Sequence, residues 1–150
     1  MRWTGPHTIE ELLENSLDPS FPRPPEAKGV YVLSEKPWRG KPRRQQTKAC
    51  NPLYVGGNTG KSARFRTRIG DLIADVFGFF GNETGHHSGG RSLHEWCRRE
   101  KVNPGRLYIG WAEDCNCVRC AENELYDLLR PSRNKNRPYR CKDHNAGAQT

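Results

Sequence analysis

The C-terminal third of the chain carries residues of metal-ligand type at metal-ligand spacing. Cys117-x-x-Cys120 and Cys141-x-x-His144 are separated by twenty residues. Two such knuckles supply four donors, enough for the closed tetrahedral shell of a structural Zn²⁺. Cys115 is a competing fourth ligand, so the set stays open at this level, and reduced thiols without metal are the plain alternative. Cys50 and Cys97 have no spaced partner, and Cys97 falls on an apolar helical stripe.

Gly56 to Ser62 reads GGNTGKS, glycines with a lysine that suggest a phosphate-cradling loop. The spacing fails: three residues, not four, lie between Gly56 and Gly60. The chain also lacks the repeated strand-helix-strand units of a nucleotide-binding sheet. No nucleoside triphosphate partner is expected at Lys61.

A third set is spread along the chain: Gly29-Val30-Tyr31, Tyr54-Val55-Gly56, arginines at 64, 66 and 68, and Glu122 twelve residues before Asn134. Phenols, a guanidinium and a carboxylate can handle protons, neutralise phosphate charge and hold a divalent metal.

The elements that must position these groups can be read from local pattern. Thr8 and Glu11 have capping-box spacing for a short helix through Glu14, and Pro19, Pro22, Pro24 and Pro25 then keep the chain extended. Residues 1–27 are therefore expected to be an N-terminal arm with a short helix, 28–145 a single domain, and 146–150 a tail. Gly29 to Ser34 and Leu53 to Gly56 read as strands, joined by the basic insertion WRGKPRRQQTKACNP. Phe65, Ile69, Leu72, Ile73, Val76 and Phe80 predict an amphipathic helix from Ala63 to about Phe80. GNETGHHSGG reads as a Gly-rich loop, and Ser92 with Glu95 predicts the capping box of a second helix. Leu107, Ile109 and Trp111 alternate as a third strand. Val118, Ala121, Leu125, Leu128 and Leu129 mark a last helix stopped by Pro131. On that helix Glu122 borders the apolar stripe, Asn123 and Asp127 point to solvent, and Glu124 sits at the far edge. The class is α+β, a small three-stranded antiparallel sheet flanked by helices in the order β-β-α-α-β-α, with a zinc-stabilised C-terminal segment.

Composition bounds the rest. The 150 residues carry a formal charge of +8 and a sequence pI near 9.4. Leu, Ile, Val and Phe make up only 26 of the 150 residues, room for one small core. No apolar run is long enough to span a membrane, no signal peptide is read, and the expected setting is cytoplasmic and reducing. The positive excess points to a polyanion, with nucleic acid ahead of a membrane surface.

The ordered set of Gly29-Val30-Tyr31, Tyr54-Val55-Gly56, the arginine-rich helix, Glu122 and Asn134 resembles the GIY-YIG nuclease family over about residues 28 to 137. The resemblance implies a metal-dependent endonuclease cutting DNA. It matches Tyr31 and Tyr54 to the two motif tyrosines facing the scissile phosphate, with Tyr31 and a metal-poised water as base. It matches Glu122 to the ligand of one Mg²⁺ (or Mn²⁺) and Asn134 to the supporting asparagine. The catalytic arginine is Arg68 by its flanking apolar residues Phe65 and Ile69, or Arg64 by ungapped counting. The motif tyrosines are separated by 22 residues, about twice the common spacing, and Leu72 stands where several relatives have His or Tyr. His86 or His87 is the candidate replacement, with ordinary polar surface as the alternative. DNA contacts are expected from Arg39, Lys41, Arg43, Arg44 and Lys48 in the insertion, from Arg64 and Arg66, and from Arg133, Lys135, Arg137 and Arg140. A zinc-stabilised nucleic-acid-binding module that does not cut is the alternative function. The oligomeric state is open.

Overall fold

The computed structural model describes residues 1–58, 64–79, 87–113 and 115–144. The strands are β1 (Arg2–Thr8), β2 (Gly29–Ser34), β3 (Pro52–Gly57) and β4 (Tyr108–Glu113). The helices are α1 (Ile9–Glu14), the single turn α2 (Thr47–Cys50), α3 (Phe65–Val76), α4 (Ser88–Glu100) and α5 (Val118–Leu129). Lys61, His86 and the 146–150 tail lie outside the described residues.

The sheet has four strands, not three. Its order is β1-β4-β2-β3, and every pairing is antiparallel. The extra strand comes from the expected arm: Arg2–Thr4 and His7–Thr8 pair with β4 on either side of a register shift. Gly5-Pro6 in the middle of RWTGPHT removes the alternating pattern that would announce a strand, and an edge position is where a proline is tolerated. The capping box at Thr8 and Glu11 forms and starts α1 directly from the end of β1. The acidic, proline-rich stretch that follows also stays attached. Arg66 donates to the Pro24 carbonyl at 2.7 Å and pairs with Glu26, and Phe65 N–H donates to the Ala27 carbonyl.

Alternation of side chains along the strands gives the sheet two apolar faces. Tyr31, Leu33, Ile109 and Trp111 face α3 and α4, meeting Phe65, Ile69, Leu72, Leu93 and Trp96. Val30, Val32, Val55 and Ala112 face α5, meeting Val118, Ala121, Leu125 and Leu129. The basic insertion is anchored on this second face by Trp38 and Cys50. Its loop is clamped by Gln46, whose amide bonds both the N–H and the carbonyl of Arg39.

Two helix boundaries depart from expectation. α3 ends at Val76 because Gly78, at φ +75°, closes it: Phe79 N–H returns to the Ala74 carbonyl and Gly78 N–H to that of Asp75. That is the double bond of a glycine-terminated helix end. α4 begins at Ser88, one turn before the predicted Ser92 cap, and its N-cap is His87, whose ring accepts from Gly90 N–H. Gly89 and Gly90 lie in the first turn of α4, where close packing excludes larger residues. A Cβ on Gly89 would enter the Tyr54 ring, and one on Gly90 would press on Asp75.

Candidate active site and metal centre

β3 is an edge strand, and its outer edge near Gly56 and Gly57 is where the expected site residues meet. Tyr31 on β2 pairs with Gly56 and lies fully buried, its hydroxyl filling the space a Gly56 side chain would take. Tyr54, two residues before Gly56, turns to the same face and stacks on Tyr31 with centroids 6.1 Å apart. Glu122 approaches from α5 on the other face of the sheet. A Cβ on Gly57 would sit 3.3 Å from Glu122 Oε2, so the adjoining glycines are approached by Tyr31 and Tyr54 on one face and by Glu122 on the other.

The electrostatics tie these groups together. Burial pushes the Tyr31 phenol well above its ordinary 10 and that of Tyr54 to about 12. Both phenols are therefore protonated at pH 7. Burial also raises Glu122 to about 7 against the opposing pull of Arg119 and Arg68. The Arg68 charge is felt at Tyr31, Tyr54, His87 and Glu122 alike, which separates it from Arg64 among the described residues. Arg119 was not foreseen. It precedes Glu122 by three positions on α5, a spacing at which helical side chains are neighbours, so the signal was present in the sequence.

His87 belongs to this cluster. Its Nε2 lies 2.8 Å from Tyr31 Oη, and its ring packs 5.5 Å from that of Tyr54, centroid to centroid. Burial, reinforced by Arg68, lowers its pKa to about 4, so the ring is neutral at pH 7. Since Nδ1 accepts from Gly90 N–H, the single ring proton is on Nε2, which donates to Tyr31.

Asn134 sits behind the site. Its Oδ1 accepts from Val55 N–H and its Nδ2 donates to the Val55 carbonyl, both at 2.9 Å. Ser132 and Arg133 N–H donate to the carbonyls of Pro52 and Leu53, so this segment lines the open edge of β3. The chain then crosses α5. Asn123 is not solvent-facing as expected, because its amide donates to the Tyr139 carbonyl at 2.9 Å. Arg137 makes a two-pronged ion pair with Asp127 and lies over the Tyr126 ring.

Of the expected DNA-contacting residues, Arg66 and Arg137 are therefore engaged within the protein, and the Arg133 Nε is buried. Arg39, Lys41, Arg43, Arg44, Lys48, Arg64, Lys135 and Arg140 are exposed. The insertion leaves the sheet at the Ser34 end of β2, three residues or about 10 Å along the strand from Tyr31.

The same C-terminal segment brings Cys141 and His144 to Cys117 and Cys120. The four donor atoms lie within 4.8 Å of one another. Cys117 Sγ and Cys141 Sγ are 3.6 Å apart, and Cys141 Sγ is 3.3 Å from His144 Nδ1. A tetrahedral zinc with bonds of about 2.3 Å to sulfur needs sulfurs about 3.8 Å apart. The cluster could bind a metal such as zinc. Cys115 is not part of it: its thiol lies 3.2 Å from Met1 Sδ and 3.8 Å from the Ala112 carbonyl.

Among the described residues no helix is long and apolar enough to cross a membrane. Comparison of the chain with protein families, with curated proteins and with solved structures finds no match.

Proposed function

We propose that the chain is a metal-dependent endonuclease of GIY-YIG type that hydrolyses phosphodiester bonds in DNA. The observation that supports this most is the approach of Tyr31 and Tyr54 to Gly56 and of Glu122 to the adjoining Gly57, with Arg68 acting electrostatically on all three side chains. Glu122 is a desolvated carboxylate whose burial outweighs the pull of its two arginines, a donor suited to a divalent cation. It would hold Mg²⁺ or Mn²⁺, which supplies charge neutralisation at the phosphate and an acidified water when bound.

The chain's own groups do the remainder. Arg68, exposed at the rim, places a fixed positive charge where a pentacoordinate phosphorus would gather negative charge. Asn134 holds β3, and with it Tyr54 and Gly56, in register. The exposed cations of the insertion and Arg64 bind the DNA backbone without choosing sequence. Zn²⁺ in the Cys117, Cys120, Cys141 and His144 cluster joins the first turn of α5 to the segment carrying Asn134, so its role is structural. A cytoplasmic setting is part of the same reading, in keeping with the Cys117, Cys120 and Cys141 thiols placed as metal ligands.

Nicking of supercoiled plasmid with Mg²⁺ tests this. Wild type is expected to cut, and Glu122→Gln to lose at least about 100-fold in rate. The variant should fold at least as well at pH 8, because it removes a carboxylate that burial penalises. Arg68→Ala should fall similarly, whereas Arg64→Ala should lose mainly affinity. Equal cutting by wild type and Glu122→Gln overturns the metal assignment. Binding without cutting by wild type selects the non-catalytic module.

A further inference from the structure

The two motif tyrosines are not equivalent in this fold. Tyr31 has no exposed surface, and its hydroxyl is closed off by Gly56 on one side and His87 on the other. Tyr54 is only partly buried, and its ring rests on Gly89 at the start of α4. We propose that Tyr54 is the catalytic tyrosine, whose hydroxyl touches the scissile phosphate, and that Tyr31 and His87 are positioning residues behind it. This rests on the nuclease reading above and refines it, since the resemblance has both tyrosines facing the phosphate.

Burial and the His87 contact carry the argument. Gly90 N–H donates to His87 Nδ1, which leaves the ring proton on Nε2 and directs it at Tyr31 Oη, 2.8 Å away. The Tyr31 hydroxyl is thus tied to the N-cap of α4 on the inner side of the site. Tyr54 packs against this pair, its ring 6.1 Å from that of Tyr31 and 5.5 Å from that of His87, centroid to centroid, and of the two tyrosines it alone keeps exposed surface. Arg68 and Glu122 both act electrostatically on Tyr54. A phenol O–H so placed can donate to a phosphate oxygen.

Two His87 variants separate this role from helix capping. Asn is a favoured N-cap and keeps an acceptor for Gly90 N–H, but it is too short to donate to Tyr31. Gln caps poorly and is long enough to reach the phenol. In Mg²⁺-dependent nicking, Tyr54→Phe is expected to lower kcat at least 100-fold with KM within about twofold, and Tyr31→Phe to lower it about tenfold. His87→Gln is expected to retain more kcat than His87→Asn. ¹⁵N NMR of wild type should show His87 protonated on Nε2 and not on Nδ1. Hydroxyl-radical footprinting, which needs no variant to fold, should modify Tyr54 in the free protein, lose that modification with DNA bound, and leave Tyr31 untouched in both. A Tyr31→Phe loss as large as that of Tyr54→Phe, His87→Asn outperforming His87→Gln, an Nδ1 proton, or a reactive Tyr31 each overturns the proposal while wild type still cuts. A wild type that cuts no DNA overturns the nuclease reading and the role of Tyr54 together.

Discussion

Asn134 occupies the outer edge of β3 as a one-residue strand would, matching the N–H of Val55 with its carbonyl oxygen and the carbonyl of Val55 with its amide. Val55 lies between Tyr54 and Gly56, so an asparagine 79 positions away fixes the backbone on which the tyrosine pair depends. Asn134→Asp keeps the acceptor and replaces the donor with an oxygen facing the Val55 carbonyl. It is expected to cost about 1–3 kcal/mol in urea denaturation. A change smaller than about 0.5 kcal/mol would show that the pairing contributes nothing net.

Two glycines in helices make opposite predictions. Gly70 in α3 has open space where a Cβ would go, so Gly70→Ala should raise stability by about 0.5–1 kcal/mol. Gly89 in α4 has the Tyr54 ring in that space, with Tyr54 Oη at 2.8 Å. Gly89→Ala should destabilise the fold and reduce nicking by displacing Tyr54. Thermal melts of both variants check the sign, and a stabilised Gly89→Ala would refute the close packing.

His87 gives a pH signature. Its pKa is about 4 in the fold and about 6.5 when unfolded, so the unfolded state takes up the proton first on acidification. The stability tied to its neutral form is fully present above pH 6.5 and is lost as pH falls from there to about 4, amounting to roughly 3 kcal/mol. Over that range wild type should lose more stability than His87→Gln, the difference being read from denaturation midpoints at each pH. Parallel curves would mean that His87 is not desolvated.

The cluster of Cys117, Cys120, Cys141 and His144 can be separated from its competitor by content and stability. Cys141→Ser should lose its zinc, measured by elemental analysis of protein purified without chelator. It should also melt at least about 5 °C lower, since each kcal/mol is worth about 2–4 °C in a chain of this size. Cys115→Ser should keep a full equivalent. Zinc loss on replacing Cys115 would return that thiol to the ligand set.

Sequence by itself determined whatever is encoded within a few residues. The capping box at Thr8, the apolar stripes of α3 and α5, the two tyrosine-bearing strands and the paired Cys/His knuckles are all local periodicities or spacings, and each was legible. Glu122 was legible for the same reason, since its place beside the α5 stripe follows from helical geometry alone. Tertiary structure decided what depends on close approach between distant segments. β1 joined the sheet because β4 offered an open edge, which RWTGPHT does not announce. Gly89 and Gly90 looked like loop residues, and only the nearness of Tyr54 and Asp75 shows that they keep a helix slim. The grouping of Cys117 and Cys120 with Cys141 and His144, and not with Cys115, likewise needed coordinates. So did the partnership of His87 with Tyr31, 56 residues away. Spacing along a chain fixes which residues share a face, but burial, tautomer and charge coupling belong to pairs that only folding brings together.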